Sequence, residues 1–214
     1  MFITFEGLDN SGKSTQVQML AEHLTRKGHR VLVLREPGGT EIGERIRTML
    51  LDKNNISMTE ASELFLFSAS RSQLVKEIIK PALEGGMVVL CDRYYDSTTA
   101  YQGWGRGITL EVIAAINRYS SDNLVPDITF LLDIPIKEIE KRILRAKKNK
   151  DRMESSGLEF YERVRNGYLD LAKKESRYRL LDALQTVDDI HDAIWEILSP
   201  SIEKHIEIEN EKKI

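Results

Sequence analysis

The stretch Phe2-Ile3-Thr4-Phe5-Glu6-Gly7-Leu8-Asp9-Asn10-Ser11-Gly12-Lys13-Ser14-Thr15 decides the fold. An apolar run ends at Gly7, four residues follow, and Gly12-Lys13-Ser14 opens a segment with helical apolar spacing, so G-x-x-x-x-G-K-[ST] lies between a strand and a helix. Glycines let several backbone N–H groups converge on one anion beside the positive end of a helix. The pattern predicts a nucleotide-binding loop made of Gly7, Leu8, Asp9, Asn10, Ser11, Gly12, Lys13, Ser14 and Thr15.

One hydroxyl, one carboxylate and two basic side chains form the predicted reaction centre: Ser14, Asp92, Lys13 and Arg93. Lys13 is expected to reach the β and γ phosphates, and the Ser14 hydroxyl is expected to bind Mg²⁺. Asp92 directly follows the apolar run 88–91, where a Walker B aspartate orders magnesium, although a turn or helix N-cap aspartate is the ordinary alternative. Arg93 beside it offers a positive fork for phosphate oxygens. We therefore predict Ser14 and Asp92 as the metal site, and Lys13, Asp92 and Arg93 as catalytic residues.

Composition limits the class of protein. The chain has 214 residues, enough for a substantial core in one domain or in a domain with a small inserted subdomain. Its net charge of -3 gives no general attraction to nucleic acid. The lone Cys91 lies in an apolar run and allows no internal disulfide. The N-terminal apolar run is too short for a signal peptide, so we expect a cytoplasmic protein that binds neither membranes nor nucleic acid.

Apolar runs alternate with helical patterns along the chain. Strands are predicted at 2–6, 30–34, 88–91, 128–133 and 178–181. Helices are predicted at about 14–27, 41–51, 59–84 with an interruption near Pro81, 110–120 and 158–174, with a glycine-rich loop at 103–107 and a tail that frays beyond Ile202. Continuous apolar strands separated by helices imply an α/β, doubly wound, parallel five-stranded sheet in a single domain, 1–214.

Ligands of such sheets collect at the carboxyl ends of the strands. The residues that follow the strands are therefore expected to share one crevice: 7–14, Arg35-Glu36, Asp92-Arg93 and Asp133. A GTPase would carry an N-K-x-D motif, and Asn149-Lys150-Asp151 is one residue short of it. Because transport and motor ATPases are usually larger than this chain, the remaining interpretation is a small phosphotransferase.

Four separated motifs resemble those of the thymidylate kinase family. They are Phe5-Glu6-Gly7-Leu8-Asp9, Arg35-Glu36-Pro37-Gly38-Gly39-Thr40, Leu66-Phe67-Ser68-Ala69-Ser70-Arg71, and Asp92-Arg93-Tyr94 running to Ala100-Tyr101-Gln102-Gly103. The resemblance implies a P-loop nucleoside monophosphate kinase fold and an enzyme that transfers the γ-phosphoryl group of ATP to thymidine monophosphate (dTMP), giving the diphosphate on the way to dTTP. It also implies Mg²⁺ and a homodimer.

The resemblance implies roles around the acceptor nucleotide. Arg47, Arg71 and Arg93 would surround its phosphate, with Arg71 also donating to the carbonyl at position 4 of the base. Phe67 would stack on the pyrimidine, although its spacing alone favours the core, and Phe65 is left as a core residue. The polar edge of the base would face Gln102, Ser70 and Ser97.

The resemblance also assigns the sugar and phosphate contacts. Asp9 would approach the 3'-hydroxyl, unless it merely caps the loop, and Tyr101 would crowd the 2' position. Glu36 would lie near the acceptor phosphate and magnesium.

A basic segment is predicted to form a lid at about 143–157. Some members of the family carry an arginine where this chain has Asn10; others supply that charge from a mobile lid. Between Lys137 and Arg152 basic residues are dense, although a charge run is usually a solvated helix face: Lys137, Lys141, Arg142, Arg145, Lys147, Lys148, Lys150 and Arg152. Arg152 is the first choice for the catalytic lid arginine and Arg145 the second. Removing Arg152 should lower turnover more than dTMP binding.

Two other functions stay open on the sequence. One is a kinase for another or several pyrimidine nucleoside monophosphates, because one methyl group separates thymine from uracil and is worth only about 1 to 3 kcal/mol. The other is a P-loop switch protein that binds ATP without a small acceptor, for which Asp9, Phe67, Arg71 and Gln102 have no evident use.

Overall fold

The structure is a computed structural model that describes residues 1–146, 152 and 157–211, with side chains for 1–142, 152 and 157–202. The strands are β1 Phe2–Glu6, β2 Val31–Arg35, β3 Val88–Asp92, β4 Ile128–Asp133 and β5 Tyr178–Asp182. The helices are α1 Lys13–Arg26, α2 Glu41–Leu51, α3 Glu60–Leu74, α4 Lys80–Glu84, α5 Tyr95–Thr98, α6 Leu110–Ser120, α7 Ile136–Ala146, α8 Leu158–Lys174 and α9 Val187–Glu211.

All five strands run parallel in the order β2-β3-β1-β4-β5, which confirms the predicted sheet. The central strands β1, β3 and β4 are almost entirely buried, because the crossovers of a parallel sheet place helices over both faces. β1 and β3 are neighbours, and Phe5 is in register with Asp92. The loop after β1 and the pair Asp92-Arg93 therefore meet at the carboxyl end of the sheet.

The second strand differs from its prediction as a buried strand. β2 lies at the edge of the sheet, and Val33 is 43% exposed. An edge strand packs against one neighbour only, and an apolar run does not by itself reveal its place in the order of strands.

Two segments form π-helical turns where the sequence predicts a break and a loop. Val75–Ile79 is π-helical between α3 and α4, and Pro81 lies in the first turn of α4. Proline lacks an N–H and crowds the carbonyl four residues earlier, and a wider turn before it accommodates this without ending the helix. The first three residues of the predicted glycine-rich loop 103–107 are also helical, since Thr99–Gly105 forms a π-helix that continues α5, and only Arg106 and Gly107 lie beyond it.

Phe65 was predicted as core and this is wrong. Its side chain is 61% exposed, because α3 buries a different face that includes Leu64, Ser68 and Arg71. α9 also continues as helix through Glu211, past the predicted fraying point at Ile202. Cys91 is buried with a free thiol, as expected. Among the described residues, no helix combines the length and apolarity needed to cross a membrane.

Candidate active site

The loop after β1 has the backbone conformation that a phosphate-binding loop requires. Gly7 has φ 133°, and a Cβ there would lie 2.5 Å from the carbonyl oxygen of Leu132 on the neighbouring strand. Gly12 has φ 102° and caps α1. Both positions accept only glycine at low cost, so the loop can turn tightly and present the N-terminus of α1 to the cleft.

Lys13 is buried inside this loop. Its Nζ donates to the Leu8 carbonyl oxygen at 2.8 Å and to Ser11 Oγ at 3.4 Å. Burial lowers the pKa of Lys13 to about 8, and the positive charge of Arg93 acts in the same direction. Burial removes the water that would stabilise the ammonium charge, and a phosphate beside Lys13 would stabilise it instead.

Ser14 and Asp92, the predicted metal ligands, lie together. Ser14 Oγ donates to Asp92 Oδ2 at 2.5 Å, across the gap between α1 and β3. A hydroxyl and a carboxylate are oxygen donors of the kind that Mg²⁺ prefers, and Mg²⁺ bound to a nucleotide usually keeps several waters. In the part of the chain that the structure describes, no cluster of three His, Cys, Asp or Glu side chains could hold a metal. The Ser14 hydroxyl and the Asp92 carboxylate fit as protein ligands of a nucleotide-bound magnesium ion.

Arg93 joins the ends of β1 and β3. Its backbone has φ 75°, unusual for a residue other than glycine. Its guanidinium donates to the Gly7 carbonyl oxygen at 3.0 Å and to Asp9 Oδ1 at 2.6 Å. Burial raises the pKa of Asp9, but the charges of Arg93 and Lys13 outweigh burial and hold that pKa below its ordinary value. Tyr101 also donates to Asp9, at 3.1 Å.

A buried carboxylate supports Arg93 from behind. Glu6 accepts from the Tyr94 N–H at 2.7 Å, from Ser97 Oγ at 2.6 Å and from the Tyr168 hydroxyl at 2.9 Å. Those hydroxyls of Ser97 and Tyr168 in turn accept from Arg93 Nη1. Burial raises the pKa of Glu6 to about 7. Sequence reasoning missed the roles of Glu6 and Tyr168, although a glutamate at the end of an apolar strand was a visible signal.

Arg71 is locked in place by three partners on different segments. Its Nε donates to Glu36 Oε2 at 2.8 Å, Nη2 to Thr98 Oγ1 at 2.9 Å and Nη1 to Asn117 Oδ1 at 3.3 Å. Burial raises the pKa of Glu36 to about 7, against the opposing charge of Arg71. Among the described side chains, Glu36 Oε1 is buried without a hydrogen-bond partner.

One cavity of about 310 Å³ joins these groups. The predicted site residues that line it are Asp9, Asn10, Lys13, Ser14, Glu36, Arg47, Phe67, Arg71, Asp92, Arg93, Ser97, Tyr101 and Gln102. Five further residues line it: Arg35, Pro37, Leu51, Tyr94 and Thr98. The cavity therefore extends without a break from the phosphate-binding loop to an aromatic side chain and the buried Arg71.

Comparison with known proteins places the chain in a family. The family model described as thymidylate kinase matches residues 5–194. The chain belongs to the thymidylate kinase family. A thymidylate kinase of Thermosipho africanus is 47% identical over 207 residues, covering 97% of this chain and 100% of that one. One of Prosthecochloris aestuarii is 51% identical, covering 92% of each.

A solved structure agrees with this assignment. The crystal structure of thymidylate kinase from Ehrlichia chaffeensis has a TM-score of 0.75 to this chain and 37% sequence identity. The match covers 92% of this chain and 98% of that one. The P-loop nucleoside monophosphate kinase fold predicted from the sequence is thereby confirmed.

Not every residue predicted for a thymidylate kinase site lines the cavity. Ser70 is fully buried and accepts from the Gly38 N–H at 3.1 Å, so it supports the 35–40 motif from behind. Asp133, expected in the crevice, pairs instead with Arg165, both oxygens accepting at 2.7 Å. Being at the end of a strand was therefore not sufficient to place a carboxylate in the cleft.

The basic segment is only partly described. Arg152 is 10% exposed and lies outside the cavity, with Nη1 2.6 Å from Glu63 Oε2 and Nε donating to the Leu50 carbonyl oxygen at 2.8 Å. Arg142 on α7 donates to the Asn10 carbonyl oxygen at 3.1 Å, so the segment contacts the phosphate-binding loop. The side chain of Arg145 and most of the predicted lid, 147–151 and 153–156, lie outside the described residues.

Proposed function

We propose that this chain transfers the γ-phosphoryl group of ATP to dTMP, giving ADP and thymidine diphosphate. The observation that carries the proposal is the single cavity in which Lys13 and Ser14 share one space with Phe67 and Arg71. Thymidylate kinase relatives that match over nearly the whole chain support it.

On the donor side, the loop and its lysine bind the ATP phosphates. The N-terminus of α1 and the Lys13 ammonium stabilise the negative charge that develops between donor and acceptor. Ser14 and Asp92 would hold Mg²⁺, which supplies further positive charge to the β and γ phosphates. Asn10 and the remaining loop residues give backbone contacts.

On the acceptor side, fixed side chains orient dTMP. Phe67 would stack on the base, and Arg71 would donate to its carbonyl at position 4, where cytosine presents an amino donor instead. Asp9 would accept from the 3'-hydroxyl, and Tyr101 would crowd the 2' position. Arg47 and Arg93 would contact the acceptor phosphate, with Glu36 beside it.

The chemistry needs positioning rather than a protein nucleophile. Donor and acceptor are both anions, and their approach is favoured when cations from both sides of the cleft neutralise them. Arg93, which follows β3, is positioned for this because its guanidinium contacts Asp9 and the carbonyl of Gly7 in the loop after β1. The acceptor phosphate oxygen can then attack in line.

A lid at about 143–157 in this single domain remains part of the proposal. Arg152 is its first candidate and Arg145 its second. Because Arg152 now pairs with Glu63, it would have to leave that carboxylate to reach a phosphate. In an Arg152→Ala variant, a lid role lowers kcat more than it raises the KM for dTMP; equal changes in both would exclude that role.

We also propose a homodimer. Exposed apolar side chains lie on α2, α3 and α6, which pack side by side, and they include Ile42, Met49, Phe65 and Val112. Light scattering coupled to size exclusion should give twice the chain mass of 24.5 kDa, and Phe65→Glu should lower it. A wild-type monomer would contradict this. The buried single thiol is compatible with a cytoplasmic location, which stays a prediction.

A coupled assay of ADP formation tests the function. With ATP and Mg²⁺, dTMP should stimulate turnover, dUMP should be roughly 10- to 200-fold poorer, and dCMP and AMP should be poorer still. Lys13→Ala should lower kcat by about 100-fold or more, whereas Lys27→Ala at the far end of α1 serves as the charge-matched control. ATP consumption without stimulation by dTMP would favour a switch protein, and equal rates on several pyrimidine nucleotides would favour a broad kinase.

A further inference from the structure

Glu63 is a buried carboxylate outside the cavity described above. It lies in the first turn of α3 and is 1% exposed. Its oxygens accept from Gln102 Nε2 at 2.9 Å and from Arg106 Nε and Nη2 at 3.1 and 3.2 Å, and Arg152 Nη1 lies 2.6 Å away. Burying a carboxylate is costly unless such partners surround it. The donors around Glu63 therefore compensate its burial.

Glu63 is held as an ionised acceptor. Burial raises its pKa, but hydrogen bonds from Arg106 and Gln102 outweigh burial, so the pKa lies below its ordinary value. An ionised carboxylate accepts hydrogen bonds and donates none. Whatever end of the Gln102 amide faces Glu63 must therefore be the nitrogen.

Gln102 lies between two cavities. Its side chain lines the first cavity together with Phe67 and Arg71. Glu63 and Arg106 line a neighbouring cavity of about 340 Å³. With the amide nitrogen turned towards Glu63, the carbonyl oxygen and the second N–H of the amide are the groups left for a ligand in the first cavity.

This orientation suits thymine. The base presents an N3–H donor beside the carbonyl at position 4, whereas N3 of cytosine is an acceptor. We propose that Glu63 is a positioning residue for base recognition: it fixes the Gln102 amide so that its carbonyl accepts from N3–H of dTMP. The inference rests on the proposed function and adds to it a residue that touches no substrate.

The proposal predicts that Glu63 acts through Gln102. In Glu63→Gln, one carbonyl oxygen is contested by Arg106, Arg152 and Gln102, and the Gln102 amide loses its fixed acceptor. The KM for dTMP should rise about 10-fold, while the KM for ATP stays within about twofold. The preference for dTMP over dCMP should fall, because a freed amide can present N–H to N3 of cytosine.

A double-mutant cycle gives the decisive measurement. In a Gln102→Ala background, Glu63→Gln should cause no further rise in the KM for dTMP. Glu60→Gln is the matched control, since Glu60 is an exposed glutamate on the same helix that lines the same second cavity, and its kinetics should equal wild type. If Glu63→Gln does not fold, Glu63→Asp, which withdraws the carboxylate by one methylene, carries the same cycle.

The possible outcomes distinguish a failure of the Glu63 positioning role from a failure of the proposed function. A wild-type enzyme that phosphorylates dTMP, with an unchanged KM in the folded Glu63 variant, overturns the positioning role alone. Additive losses in the cycle also overturn it, because they mean that Glu63 acts on the fold rather than through Gln102. A wild-type chain without dTMP-dependent ADP formation removes both.

Discussion

Individual side chains in the cleft form acid–base pairs in a poorly solvated space. Arg93 contacts Asp9, and Arg71 contacts Glu36, with each pair largely buried. Buried pairs of this kind contribute little to net stability. Removing one partner is nevertheless costly, because the other is left buried without a partner, so each side chain holds the other in place. The pair Arg71 and Glu36 is unequal, since one glutamate oxygen has no partner among the described side chains.

Glu36 should therefore impose a pH dependence on stability. Its pKa is raised from 4.5 to about 7 by burial, so the folded state holds a proton that the unfolded state has lost between these values. The stabilising contribution of this proton is complete below pH 4.5 and is lost as pH rises through 7. From pH 5 to 7, the free energy of unfolding of wild type should fall by roughly 2 to 3 kcal/mol relative to Glu36→Gln.

Urea unfolding at pH 5, 6 and 7 measures this difference. Glu44→Gln, which removes a half-exposed carboxylate paired with Arg35, should keep the wild-type slope. Parallel slopes for wild type and Glu36→Gln would show that Glu36 is ionised throughout this range.

At the scale of elements, α8 and the π-helical segment Thr99–Gly105 pack unusually closely. A Cβ at Gly105 would lie 2.6 Å from the Phe160 ring, and one at Gly167 would lie 2.6 Å from the Trp104 side chain. This packing holds Tyr101 and Gln102 against the cavity, so a displacement of α8 would move both site residues.

Gly167→Ala should destabilise the protein although alanine is the better helix former. The helix propensity gain is about 1 kcal/mol, but overpacking against Trp104 typically costs about 1 to 3 kcal/mol and also disturbs the site. Chemical denaturation should show a net loss, with a raised KM for dTMP. In a Trp104→Leu background the same substitution should cost less. A Gly167→Ala variant more stable than wild type would contradict the close contact.

At the scale of the whole molecule, cations from distant parts of the chain converge on one cleft. Lys13, Arg47, Arg71 and Arg93 come from four segments and line the same cavity. An anionic ligand neutralises their mutual repulsion and contacts several elements together, so it should stabilise the global fold by binding only the folded chain.

Thermal unfolding with dTMP should show this linkage. At about 100 times its Kd, dTMP adds about 2.7 kcal/mol, which for a chain of this size raises the Tm by roughly 5 to 10 °C. At the same concentration dCMP should give a much smaller shift, and Arg71→Gln should reduce the difference between the two nucleotides. Equal shifts for dTMP and dCMP in wild type would contradict base recognition by Arg71.

Local pattern predicted the elements better than their neighbours. Apolar periodicity placed five strands within one or two residues of their bounds, because periodicity reports which face of a segment avoids water. It did not place β2 at an edge, keep Phe65 on the surface or distinguish Asp133 from Asp92. Each of those depends on which other segment packs against the residue.

The sequence alone specified the phosphate-binding loop, the parallel α/β class and the family motifs, because each of these depends on residue types at short spacings. Tertiary structure alone decided that Glu6 supports Arg93, that Ser70 lies behind the cavity, and that Glu63, Gln102, Arg106 and Arg152 meet. Side chains far apart in the sequence come into contact only when the packing of whole elements fixes their distance and excludes water between them.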